Sequence, residues 1–226
     1  MGYTEKELIA ELETASADMA VFYRQSCINY RGVTSDTNVH YTELICEFLL
    51  QNMEKLQQIP KITREASYKT KSHDGIPKTE DSNREEELIA MEMFRQSEIP
   101  GLGKILDYQT PLKNKRSDKA GKIDIMSYDG KTLRILELKE PGSTETMLRC
   151  VLEGYTYLKT VDISKLLRDF SLPENTEVIA CPFVFLDGEQ RKELLAGRPM
   201  LEELMVALSS KPYYIRKEQE KYIVED

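Results

Sequence analysis

The chain has no tryptophan, only two histidines and only four cysteines in its 226 residues. With His40 and His73 alone, histidine-rich metal centres and histidine-based catalytic triads are disfavoured. Cys27, Cys46, Cys150 and Cys181 lie far apart and form no CxxC pair. That spacing argues against a zinc site or a disulfide framework and for reduced thiols in a cytoplasmic protein. Cys150 and Cys181 read as small core residues. No apolar run approaches the roughly 18–20 residues that span a bilayer, so no membrane partner is expected. The N-terminal stretch MGYTEKELIAELE is charged and lacks the apolar core of a signal peptide.

What is present is charge. Charged residues make up 31% and hydrophobic ones 40% of the chain, a balance that suits one folded soluble core rather than disorder. The net charge of −8 argues against a large non-specific nucleic-acid surface. The charges are uneven, however. Residues 111–122, PLKNKRSDKAGK, carry Lys113, Lys115, Arg116, Lys119 and Lys122 against a single Asp118. Residues 60–78 form a second basic stretch. Such runs are most often solvated loops, and in the first of them Lys113, Lys115, Arg116, Lys119 and Lys122 are candidate contacts for a nucleic-acid backbone.

Periodicity divides the chain. Residues 4–26 and 38–58 read as amphipathic helices, an N-terminal helical segment (1–58) packed on the core. Residues 59–81 lack periodicity and read as a long connection with room for a short hairpin. His73 in this stretch reads as a solvated loop histidine. The remainder, 82–226, reads as a core continuous with the rest in a single domain. Ser82 and Glu85 fit a capping box that opens a helix running to about Ile99, before Pro100-Gly101. Strand-like runs follow at 104–110, 122–128 and 132–139, then a helix at 144–159 and a buried strand at 177–186. Residues 190–208 are helical but broken by Pro199, and short strands at 212–216 and 221–224 end the chain. This order predicts an α/β fold (α+β, with a mixed sheet).

Within TLRILELKEPG, residues 132–142, two ions close an apolar strand. Asp129-Gly130 predicts a two-residue hairpin turn before it. Tyr128 then pairs with Lys131, and Asp124 lies opposite Ile135. Alternation puts Asp124, Glu137 and Lys139 on one face, with Asp124 and Glu137 diagonal neighbours about 7 Å apart. Two carboxylates so placed can converge on a hard cation such as Mg²⁺. On the preceding helix, Glu86 falls near the middle of the apolar arc of Ile89, Ala90, Met93 and Phe94. A carboxylate there needs a partner, unless it merely favours the helix dipole.

These residues resemble the PD-(D/E)XK nuclease superfamily, the restriction-endonuclease-like fold. Its helix-borne Glu, its strand-borne Asp and its E-x-K tripeptide are matched by Glu86, by Asp124 and by Glu137-Leu138-Lys139. Residue 123, before the Asp, is Ile rather than the family's Pro. The resemblance covers roughly residues 82–186 and implies an αβββαβ core. It further implies Mg²⁺- or Mn²⁺-dependent hydrolysis of phosphodiesters, with DNA as the favoured substrate, by a protein that can act as a homodimer. Asp124, Glu137, Glu86 and the Leu138 carbonyl would hold the metal, and Lys139 would act on the attacking water or on the developing phosphate charge. The family's Q-x-x-x-Y finds a weak match in Glu153-x-x-x-Tyr157, with Arg149 a turn earlier. Arg149 and Glu153 lie opposite this helix's apolar stripe, so either both its faces are covered or they form an exposed pair. Two rival readings keep the fold without the chemistry. One is a catalytically silent scaffold that binds nucleic acid or protein. The other is an α/β protein in which Glu137 and Lys139 are an ordinary ion pair.

Overall fold

The computed structural model describes residues 2–77, 84–115 and 118–225. Among them are eight α-helices and a seven-stranded mixed sheet whose strands lie side by side in chain order. Strands β1 (Glu98–Ile99), β2 (Gly103–Pro111), β3 (Lys122–Tyr128) and β4 (Thr132–Lys139) form an antiparallel meander. Strand β5 (Glu177–Phe185) runs parallel to β4, and β6 (Tyr213–Glu218) parallel to β5. Strand β7 (Lys221–Glu225) closes the far edge antiparallel to β6.

The sheet separates two apolar layers. On one face α4 (Glu85–Gln96) buries Ile89, Ala90 and Met93 against Ile125, Leu136 and Cys181. On the other, α5 (Met147–Thr160) packs Val151 and Leu152 over Met126, Ile135 and Ala180. The same layer takes in Leu8 of α1 (Glu5–Ala15), Ile45 of α2 (Tyr41–Gln51), Leu166 of α6 (Ile163–Asp169) and Leu204 of α8 (Pro199–Ala207). The 3-10 turns Phe22–Arg24 and Ser26–Asn29 of the N-terminal segment lie against α5, which is buried on both flanks. Every residue of β4 is buried, as expected of a central strand with a helical layer on each side.

Several elements differ from the expectations of periodicity. The first helix stops at Ala15, and 3-10 turns at Phe22–Arg24 and Ser26–Asn29 replace its second half. Ser16 hydrogen-bonds back to the Glu13 carbonyl, a local alternative to continuing the helix. The second breaks at Asn52, whose side chain bonds the Phe48 carbonyl, before a short α3 (Met53–Gln57). Helix α4 begins at Glu85 with Arg84 as its unassisted cap, so Glu85 does not take the third helical position of a capping box. Ser82 lies outside the described residues. Helix α6, capped by Asp162, is an element that the periodicity reading missed. Pro199 opens α8 instead of breaking one helix, so α7 (Glu189–Leu195) stands alone.

The connection from 59 onward forms no hairpin among the described residues, only an isolated bridge between Ile62 and Val161. It is nevertheless pinned. Tyr68 is fully buried, and His73 is not a solvated histidine. Its ring stacks on Tyr108, and its Nδ1 lies 2.6 Å from the buried Asp107 carboxylate.

The β3–β4 turn takes four residues, not two. Tyr128 pairs with Leu133, and Met126, rather than Asp124, faces Ile135. Asp129 accepts hydrogen bonds from the Lys131 and Thr132 N–H groups, which supports the longer turn, and Gly130 takes the left-handed φ of +98°. The register moves by two residues. Side-chain parity survives such a shift, so Asp124 keeps the face expected of it.

Gly154 of α5 faces Glu137 of β4 and Ala180 of β5. A Cβ there would lie 3.5 Å from Glu137 Cβ and 3.7 Å from Ala180 Cβ, ordinary contact distances. Gly154→Ala should therefore fit and raise stability by about 0.5–1 kcal/mol through helix propensity. Gly154→Leu should lower it by about 1–3 kcal/mol through overpacking. Urea denaturation midpoints check both signs.

Candidate active site

Continued by one residue, the β3–β4 register sets Asp124 directly opposite Glu137. The backbone pairing stops at Ile125 and Leu136, and the Asp124 carboxylate takes over. Its Oδ2 accepts the Leu138 N–H at 3.0 Å, while its Oδ1 accepts the Gln109 amide N–H at 2.8 Å. Leu138 thus meets the site through its backbone, while its side chain packs in the layer beneath α4.

Glu137 and Lys139 stand side by side on the α5 face of β4. The Lys139 ammonium lies 2.9 Å from Glu137 Oε1 and 2.9 Å from Glu145 Oε2. Glu86 Oε1 at 3.7 Å and Glu153 Oε2 at 3.8 Å complete its surroundings. Glu86 comes from the opposite side of the sheet, from the first turn of α4, and reaches around its end. Helix α5 supplies the far wall. Arg149 pairs with Glu145 and Glu153 at 3.5 Å each, and the Tyr157 hydroxyl donates to Glu153 at 2.6 Å. Tyr23, from the N-terminal segment, packs its ring edge-on against Tyr157 and under the Arg149 guanidinium. This contact settles the open question about α5. Both its faces are covered, and Arg149, Glu153 and Tyr157 form a wall rather than an exposed pair.

Glu86, Asp124, Glu137, Lys139, Arg149, Glu153 and Tyr157 all line one cleft of about 650 Å³. Gln109 and Glu145 line it too and escaped the sequence reading. Glu145 lies in the turn after β4, where nothing local marks it. Gln109 reaches Asp124 only through strand pairing across a ten-residue loop. Lys113, Lys115, Lys119 and Lys122 of the basic loop do not line the cleft. Lys113, Lys115 and Lys122 are exposed, and Lys119 pairs with Asp18 at 2.7 Å. Arg116 lies outside the described residues.

Burial dominates the electrostatics. It pushes the Asp124 carboxyl up to about 7, against the pull of the Lys139 charge. Burial, then repulsion from Asp124, drives Glu137 well above the usual carboxylate range. Burial also raises Glu86, again opposed by Lys139. For Lys139 itself burial acts downward, but the facing carboxylates, Glu137 first, outweigh it and hold the ammonium. Cys150, beneath the site, donates its S–H to the Glu137 carbonyl at 3.3 Å, and burial keeps it a thiol.

The donor set suits a hard cation by its chemistry, since every acidic group offers oxygen. Glu137 Oε2 is buried without a hydrogen-bond partner, and its acidic neighbours leave both strand carboxylates short of counter-charge. Among the described residues, no group of three His, Cys, Asp or Glu side chains is gathered closely enough to enclose a metal. The Lys139 ammonium lies between the acids instead. Nor is any described helix long and apolar enough to cross a membrane. No protein-family model, curated protein or solved structure matches the chain.

The raised Asp124 pKa has a consequence for stability. Between the ordinary value of 3.8 and about 7, the folded state holds a proton that the unfolded chain releases. Stability is then highest at the acid end of this window and falls as pH rises through it. Asp124→Asn cannot ionise, so its urea midpoint should fall less than that of the wild type over the same window. Parallel curves for the two proteins would contradict the burial of Asp124.

Proposed function

We propose that the protein is a metal-dependent nuclease of the PD-(D/E)XK kind, a hydrolase of phosphodiester bonds acting on DNA. One observation carries the reading: Glu86, Asp124, Glu137 and Lys139 converge in one cleft. The surrounding order supports it. Helix α4, the β2–β3–β4 meander, α5 and the parallel β5 come in the order that an αβββαβ core requires, with β1 and α6 interposed.

In this reading Asp124 and Glu137 hold Mg²⁺ or Mn²⁺, with Glu86 and the Leu138 carbonyl as further oxygen donors. When bound, such an ion polarises the phosphate, acidifies the attacking water and stabilises the leaving oxygen. Asp124 must shed its proton to ligate, so binding strengthens as pH rises toward and past about 7. Lys139 remains an ammonium and is no base. It leaves the carboxylates to face the negative charge that grows on the phosphate. Glu153 and Tyr157 hold Arg149 at the rim, where it can meet a second phosphate.

Asp124→Ala and Lys139→Ala should each abolish Mg²⁺-dependent cleavage of plasmid DNA, with far-UV circular dichroism unchanged. Full cleavage by either variant rejects the assignment. The exposed lysines on the β2–β3 connection would contact the DNA backbone beside the cleft. Neutralising Lys113, Lys115 and Arg116 together should flatten the slope of log affinity against log salt, by about 0.9 for each lost phosphate contact.

The tight enclosure of Lys139 by Glu137 and Glu145 favours a second reading, a catalytically silent scaffold that binds nucleic acid or protein. Titration calorimetry with Mg²⁺ and Mn²⁺ separates the two. Neither heat nor thermal protection from either ion favours the scaffold.

A further inference from the structure

Gln109 occupies an unusual position in the middle of β2. Its backbone φ is +47°, in the left-handed region that a strand residue other than glycine rarely enters. Such a conformation is strained and persists only where its surroundings enforce it. A second irregularity precedes it. The β2–β3 pairing slips by one residue between Ile105 and Asp107. Without this bulge, Tyr108 would stand across from Asp124; with it, Gln109 does. Bulges commonly re-aim a side chain beside a functional site. The third observation is the product of the first two. The Gln109 amide donates to Asp124 Oδ1 at 2.8 Å from within the cleft wall.

Each irregularity would be a defect if Gln109 were only a strand residue. Together they deliver one N–H donor to one carboxylate oxygen. The other Asp124 oxygen is already held by the Leu138 N–H. With both oxygens tethered, the carboxylate plane cannot rotate freely, and its remaining lone pairs keep a set direction.

We infer that Gln109 is a positioning residue, which orients the Asp124 carboxylate to receive a divalent cation. This inference rests on the proposed metal-dependent reading of the cleft. Gln109 itself need touch neither the ion nor the substrate. Groups of this kind typically change metal affinity by about 10–100-fold when removed.

The test uses the full chain and three readouts: thermal unfolding, Ca²⁺ binding by calorimetry, and the Mg²⁺ dependence of DNA cleavage. Gln109→Gly removes both the amide and the backbone strain, so it should melt no lower than the wild type. Gln109→Asn tolerates the left-handed backbone but is one methylene too short to reach Asp124. Both variants should bind Ca²⁺ about tenfold more weakly or worse. Both should need correspondingly more Mg²⁺ for half-maximal cleavage, with the maximal rate at saturating Mg²⁺ changed far less. Unchanged Ca²⁺ affinity in either folded variant overturns the inference. So does a loss of affinity that tracks a loss of melting temperature, which is the mark of a merely structural role. If the wild type binds Ca²⁺ but cleaves no DNA, the nuclease reading fails alone, and the Ca²⁺ comparison still decides the role of Gln109. A wild type that binds no Ca²⁺ overturns both.

Discussion

The ammonium of Lys139 is the charge around which the cleft is organised. It is almost wholly buried, and so is its nearest partner, Glu137. Each alone would be expensive to remove from water. Together, with Glu145, Glu86 and Glu153 within 3.8 Å of the ammonium, they make an ion cluster that a central strand can carry. The acids outnumber the cation, and this imbalance sets the site's character. It leaves Asp124 and Glu137 competing for protons and Glu137 Oε2 without a partner. The cleft is therefore receptive to added positive charge and resistant to losing what it has.

The rest of the architecture serves to bring these groups to one end of the sheet. The α4 layer and the α5 layer lie on opposite faces, so Glu86 and Glu153 approach Lys139 from opposite sides. Helix α5 passes above Glu137 at Gly154, at a distance that leaves room for a Cβ. The N-terminal segment reaches across the outer side of α5, where Tyr23 stacks beneath Arg149 and beside Tyr157. A segment that precedes α4 in the chain thus shapes the wall of the cleft, and the helix it covers can carry charge inward on a face that its own pattern marks as polar.

Much of the site was legible from residues alone. Alternation along β4 places Glu137 and Lys139 on one face whatever the turn before it does. The phase of α4 aims Glu86 at the sheet. Asp124 keeps its face because the turn is longer than Asp129-Gly130 predicts by two residues, an even number. A slip of one would have sent Asp124 to the opposite face. His73 was misread because a polar, aperiodic stretch looks solvated. Its burial depends on Asp107 and Tyr108, 34 and 35 positions away, and the pattern of a loop does not reveal such partners.

Local periodicity thus determined the three-strand meander, the mixed α/β class and the faces of Glu137, Lys139 and Glu86. These follow from backbone geometry that repeats every two or 3.6 residues. Tertiary structure alone decided what each charge meets. The Asp124–Glu137 register, the bulge that presents Gln109, the return of Glu145 to Lys139 and the covering of α5 by Tyr23 all depend on loop closure and on packing between distant segments. Those are properties of the whole chain, and no short stretch of sequence contains them.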